Sequence, residues 1–217
     1  MASAPDTPWT DAPLVALDLE GTGAQDHDDE AILEIALVPI TAGRPSLTDA
    51  YTTLINPGRP IQHRPWISPG LTNTTLASAP RLSDVAPELA QRIRGKVLVG
   101  HNVAVDWRLL HRRCPTIQPA GLIDTLRLAR HIHGGARKSL SALLEHYTLT
   151  EQVTRLAQNS QPHRALWDTT GAALLLTALI RDLPNAGSLT FTELHHVSGL
   201  GLPEDRRQPE TQQLPLI

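Results

Sequence analysis

The sequence predicts an α/β fold: a mixed five-stranded sheet, made of a three-strand antiparallel meander plus parallel strands and flanked by helices. Two patterns point to it. Three apolar runs follow one another at turn-length spacing between residues 14 and 56, as in a meander. From residue 81 onward, short apolar strands alternate with stretches of helical periodicity. Strands first, then strands alternating with helices, make a mixed sheet covered by helices. At 217 residues and 41% hydrophobic content, the chain has enough apolar side chains for one sizeable core.

The elements follow in order. MASAPDTPWTDAP lacks the basic start and apolar stretch of a signal peptide, and residues 1–12 are expected to be disordered. LVALDLEGTG (14–23) reads as the first strand, AILEIALVPI (31–40) as the second and DAYTTLIN (49–56) as the third, with the turn TAGRPS between the last two. RLSDVAPELAQRIRG (81–95) places Leu82, Val85, Leu89 and Ile93 at helical spacing despite Pro87. KVLVG (96–100) is a strand leading into the helix-like VAVDWRLLHRRC. LIDTLRLARHI joins a short strand to a helix that Asp124 is placed to cap, and KSLSALLEHY is a helix opening on a serine. HRALWDTTGAALLLTALIRDL (163–183) is the longest helical pattern and ends the core domain, 13–183. Residues 184–200 form a short helical extension, with Thr190 and Glu193 as a capping box ahead of Leu194 and Val197. Residues 201–217 turn polar and proline-bearing, a flexible tail.

Composition excludes several classes. A single cysteine, Cys114, rules out an internal disulfide and a cysteine-based zinc site, and no apolar run approaches a membrane span. A cytoplasmic location is the expectation. Net charge of −3 argues against non-specific coating of nucleic acid. The charge is nonetheless segregated. Asp18, Glu20, Asp26, Asp28, Asp29 and Glu30 crowd residues 18–30, whereas Arg108, Arg112, Arg113, Arg127, Arg130, Arg137 and Lys138 crowd residues 108–138. A phosphate polymer could dock at the basic pole.

Asp18 and Glu20 stand two apart on a strand, so their side chains leave on one face while Val15, Leu17 and Leu19 leave on the other. Adjacent anions repel and resist burial, which a cation between them would relieve. Two further acids sit at element boundaries: Asp106, one turn into the helix after VLVGHN, and Asp168, five residues after His163 in PHRALWD. Four converging carboxylates suit magnesium or manganese, and two such ions can clamp the attacking and leaving oxygens of a phosphodiester. His163 is then a natural base for the attacking water.

D-x-E, G-H-N-x-x-x-D and H-x-A-x-x-D, in that order, resemble the three motifs of the DnaQ-like (DEDDh) 3′→5′ exonuclease family, which includes the epsilon proofreading subunit of bacterial DNA polymerase III. The resemblance covers about residues 13–183 and extends to INPGRPI, IDTLRLAR and KSLSALL. It implies a ribonuclease H-like fold and removal of 3′ nucleotides as 5′-monophosphates with two Mg2+ or Mn2+ ions. By that resemblance Asp18 bridges both metals, Glu20 and Asp168 complete one site, and Asp106 supports the second through water. His163 would deprotonate the nucleophilic water. DNA 3′ ends in proofreading or repair are the expected substrate, with a ribonuclease of the oligoribonuclease or RNA-maturation type as the alternative, and a DNA polymerase is a candidate partner.

Gly21, Thr22, Asn102 and Trp66 are the candidate substrate contacts. Gly21 stands where the family commonly has threonine, and only its backbone can meet a nucleotide closely. Pro69 stands where the family often has histidine. Asn102 either orients substrate or caps the following helix; Trp66 and Trp107 either stack on a base or pack. Glu34 reads as structural, residues 26–30 as a solvated loop, and His101, His131, His133, His195 and His196 lack a ligand constellation. The final QLPLI resembles the bacterial sliding-clamp-binding motif, with Gln213 hydrogen-bonding and Leu214, Leu216 and Ile217 entering an apolar groove; a non-catalytic clamp adaptor is the reading from a different class.

Overall fold

A computed structural model describes residues 7–135 and 139–202. Arg137, Lys138 and the QLPLI residues Gln213, Leu214, Leu216 and Ile217 lie outside the described residues. The strands are β1 (Leu14–Gly21), β2 (Ile32–Thr41), β3 (Arg44–Pro45), β4 (Tyr51–Leu54), β5 (Val97–Gly100), β6 (Gly121–Asp124) and β7 (Gly199–Leu200). Between and after them run α1 (Asn73–Ala77), α2 (Leu82–Ile93), α3 (Val103–Arg113), α4 (Thr125–His133), α5 (Leu140–His146), α6 (Thr150–Leu156), α7 (Ala165–Arg181) and α8 (Phe191–Ser198).

One mixed sheet carries the fold, in the order β3-β2-β1-β5-β6-β7, with β4 also pairing β2. β1 is antiparallel to β2 and parallel to β5, β5 is parallel to β6, and β6 is antiparallel to β7. The five expected strands are present, and the sheet has seven because the two-residue β3 and β7 extend its edges. Two-residue ladders have no alternation to read. The C-terminal ends of β1, β5 and β6 lie side by side, so the chain leaves the sheet three times at one edge.

Alternation along β1 splits the core. Leu14 and Ala16 face one apolar cluster with Trp167, Leu175, Leu176 and Leu179 of α7, Leu128 of α4 and Leu144 of α5. Val15 and Leu17 face another with Val85 and Leu89 of α2 and Trp107 and Leu110 of α3. α7 is buried nearly all round, as a helix lying across a sheet under other helices must be, and Gly171 lets Leu144 approach: a Cβ there would lie 2.9 Å from Leu144 Cδ1. Asp124 caps α4 by accepting the Leu126 N–H, Ser139 caps α5, and Thr190 with Glu193 forms the capping box of α8.

Two expectations are corrected. Residues 7–12 are not frayed: Trp9 is buried in the α7 cluster, its N–H donates to Leu189 O at 3.2 Å, and Thr7 O accepts the Phe191 N–H at 2.9 Å. Burial of the indole outweighs the polar, proline-rich composition around it. Residues 26–30 are not simply a solvated loop. Glu30 is 4% exposed and pairs with Arg108 and Arg112 of α3, while Arg112 and Arg113 also donate to the carbonyls of His27, Asp28 and Glu30. Much of the basic pole is therefore spent neutralising and capping the acidic one. Arg127 donates to Gly199 O at 2.8 Å. Among the described residues no helix is long and apolar enough to cross a membrane.

Candidate active site

Asp18 and Glu20 close β1 on its α7 face, and Asp168 comes to them from the first turn of α7. One carboxylate oxygen from each of the three lies within 4.8 Å of the others. Asp106, one turn into α3, points to the same strand: its Oδ1 accepts the Leu19 N–H at 3.1 Å, from the residue between the two β1 acids. Gly100 makes this approach tight, since a Cβ there would lie 3.0 Å from Leu17 O. All four acids of the motifs thus meet at the strand edge, three as a tight cluster and Asp106 bound to the intervening backbone.

The electrostatics are those of crowded anions. Burial, then Asp106, Asp168, Glu20 and Glu34, hold the Asp18 carboxyl well above the usual carboxylate range. Burial pushes Glu20 up to about 8 against the opposing Ser68 hydrogen bond, with Asp168 and Glu34 adding to the rise. Burial raises Asp106 to about 7 although the Leu19 N–H favours its charged form. Asp168 is raised to about 6, mainly by burial, and the His163 N–H and imidazole limit the rise. Four oxygen-donor groups that resist ionising together are what a hard divalent cation relieves, so the residues fit a divalent metal.

His163 is exposed, directly ahead of α7, with φ 65°. That left-handed backbone turns the chain into the helix, and the His163 N–H lies 3.4 Å from Asp168 Oδ1. Its place is fixed by a neighbour the sequence reading treated as structural. Arg164 grips Glu34 through both carboxylate oxygens, at 2.7 and 2.8 Å, and the Ala165 N–H adds a third bond to Glu34 at 3.2 Å. Glu34 stands opposite Glu20 in the β1–β2 register, so this fork pins the start of α7 to the strand beside the cluster. The signal was the hairpin register, which places residue 34 across from residue 20.

Ser68 was also missed: its buried hydroxyl donates to Glu20 Oε2 from a loop far away in sequence. Among the candidate substrate contacts, Thr22 is corrected. It is 2% exposed, its hydroxyl accepts the Ala31 N–H at 3.0 Å, and its side chain is turned into the protein. Gly21 is needed for packing, because a Cβ would lie 3.0 Å from Ala31 O and 3.2 Å from Leu109 Cδ2. Asn102 adopts φ 69°, which asparagine tolerates, and stands exposed at the start of α3; its N–H donates to Asp124 Oδ1 while its side chain makes no capping bond. Trp66 is half-exposed, whereas Trp107 is buried and packs in the α3 cluster.

The chain is similar to known proteins along most of its described length. A family model described as RNase_T, exonuclease, matches residues 15–176. The DNA polymerase III subunit epsilon-like protein of Rhodobacter capsulatus is 31% identical over 190 residues, covering 86% of this chain and 26% of that protein. The DNA polymerase III subunit epsilon of Aquifex aeolicus is 28% identical over 178 residues, 80% of this chain and 83% of the relative. The chain therefore spans about a quarter of the Rhodobacter relative but most of the Aquifex one. A solved structure described as Exonuclease X in complex with 5′ overhanging duplex DNA superposes with TM-score 0.61 at 27% identity, covering 85% of this chain and 98% of that one.

Proposed function

The chain belongs to the RNase_T exonuclease family, and on that premise we propose that it is a 3′→5′ exonuclease that trims DNA ends to 5′-monophosphates, in proofreading or repair. The observation that carries this reading is the meeting of Asp18, Glu20 and Asp168 oxygens within 4.8 Å, with Asp106 held beside them. Asp18, Glu20 and Asp168 would hold the divalent ions, Mg2+ or Mn2+, and Asp106 would support them. When bound, such ions supply Lewis acidity to a phosphodiester and charge balance to the developing oxyanion.

The chain's own residues do the rest. His163 stands next to Asp168 on the solvent side, so its imidazole can take a proton from the attacking water and release it to bulk. Arg164, held by Glu34, fixes the backbone that carries His163 and the first turn of α7. Asn102 and Trp66, both exposed near this edge, and the Gly21 backbone are the contacts proposed for the nucleotide.

DNA as substrate is supported by the epsilon-type relatives and by the DNA in the Exonuclease X complex. The test is side-by-side digestion of matched DNA and RNA 3′ overhangs, with and without Mg2+. Metal-dependent release of deoxynucleoside monophosphates is expected, lost in Asp168→Ala with the circular dichroism spectrum unchanged. Preference for the RNA strand would overturn the DNA assignment, and full activity of Asp168→Ala would overturn the site. We also propose a sliding clamp as partner through Gln213, Leu214, Leu216 and Ile217. Deleting residues 213–217 should end retention on a clamp column while sparing digestion of free oligonucleotides; retention without them refutes it.

A further inference from the structure

A cavity of about 710 Å³ lies beside α3, β6 and β7, a volume that takes a small organic molecule. None of its lining residues belongs to the acidic cluster. Trp107 and Leu122, which line it, belong to the α2–α3 core, across the sheet from α7. Leu122 and Leu200 give it an apolar side. Trp107 and His111 give it something less common. Trp107 Nε1 and His111 Nδ1 are buried with no hydrogen-bond partner among the described residues. The two rings sit one turn apart on α3, with centroids 5.1 Å from each other. An indole N–H can only donate, and burying it without an acceptor is costly. Trp66 and Trp167 avoid that cost by donating to Thr22 O and Thr154 Oγ1. Arg108, Arg112 and Arg127 complete the lining, in which no acid takes part among the described residues. Arg108 and Arg112 share the one carboxylate of Glu30, and Arg127 donates through Nη1 to a carbonyl, Gly199 O. Three guanidinium charges against one carboxylate leave a net charge of two positive.

We propose that this cavity is a second ligand site, separate from the acidic cluster, for a small phosphate monoester carrying an apolar body. The ligand class follows from the chemistry. An excess of two positive charges matches a phosphate dianion, and guanidinium groups pair with phosphate oxygens through directed N–H bonds. The Trp107 N–H supplies a further donor that has no acceptor within the protein, and His111 Nδ1 donates or accepts according to its tautomer. Leu122, Leu200 and the Trp107 ring offer the rest of the molecule an apolar surface to cover. A bare anion would leave that surface in water, and an uncharged hydrocarbon would bury the guanidinium groups without a partner. The site takes no part in the cluster's chemistry, so it can be occupied whatever the cluster hydrolyses.

The test is calorimetric titration of the full-length protein, in chelator, with 1-naphthyl phosphate, inorganic phosphate and 1-naphthol. Without metal the clustered acids disfavour a dianion, so the heat reports the cavity. Saturable binding of 1-naphthyl phosphate is expected, with a Kd of about 0.5 mM or tighter. It should exceed the affinity for inorganic phosphate and for 1-naphthol by about tenfold or more, since each of those offers half of the recognised chemistry. Ala104 lines the cavity from an exposed position on α3, so Ala104→Trp can fill the space without disturbing the core and should abolish binding. Arg127→Gln keeps a donor for Gly199 O and removes the charge, and should weaken binding about tenfold. Trp107→Phe keeps a ring and removes the N–H, and should weaken it about fivefold. Circular dichroism spectra matching the wild type confirm that each variant is folded. No binding by the wild type, or undiminished binding in Ala104→Trp, overturns the proposal. So does equal affinity for inorganic phosphate, which would mean an anion patch only, or for 1-naphthol, which would mean an apolar crevice only.

Discussion

Raising the pH in the absence of metal should destabilise this protein, and Glu20 shows by how much. Its carboxyl keeps its proton up to about 8 in the folded chain against an ordinary value of 4.5. Between those values the native state holds a proton that the unfolded state has released, so unfolding free energy falls as pH rises through the window and levels off above it. From about pH 5 to about pH 8 that proton costs ~1.4 kcal/mol per pH unit, about 4 kcal/mol in all. Allowing for the part of Glu20 that still touches water brings the loss to about 3 kcal/mol. Asp168, raised to about 6, adds to the fall in the lower part of the range. The assay is urea unfolding in chelator at both pH values, with Glu20→Gln as the internal control, whose fall should be smaller by about 3 kcal/mol. Adding Mn2+ at the higher pH should recover stability, by about 2.7 kcal/mol at a concentration a hundred times its Kd. A stability that is level or rising with pH in chelator, or a Glu20→Gln slope equal to the wild type, refutes the reasoning.

Other expectations follow from single contacts. Glu34→Gln removes the charge from a fork that is 6% exposed on the acid side, and should cost about 2–3 kcal/mol. A double-mutant cycle with Arg164→Gln should show coupling above about 1 kcal/mol, and additive losses would mean the pair is not a unit. His163→Ala should lower kcat by about 10²–10⁴ with thermal midpoint unchanged, measured on a labelled strand; a loss under fivefold would remove the histidine from proton transfer. Trp9→Ala should destabilise by about 3 kcal/mol in urea, because the indole is 7% exposed and packs over Gly43; a loss under about 1 kcal/mol would mean that residues 7–12 are frayed after all.

Much of this arrangement is legible in the chain because it depends on local rules. Two acids at i and i+2 on a strand must share a face, Asp124 and Ser139 are good caps ahead of helical periodicity, and Thr190 with Glu193 spells a capping box. What escaped depends on partners distant in sequence. Glu34 alternates like any strand residue until its register partner Glu20 and the Arg164 fork are known. The α3 arginines look like an exposed basic face until Glu30 is found buried beneath them. Ser68 gives no local sign that it meets a carboxylate 48 residues away. α6 has seven residues and one buried side chain, Val153, too few for a periodicity to show.

The link between Thr7 and Phe191, with Pro8 bridged to Thr190, straps the segment ahead of β1 to the start of α8. Severing the strap should therefore loosen α8 and the outer edge of the sheet, yet leave the acidic cluster, which lies at the ends of β1 and α7, with its geometry undisturbed.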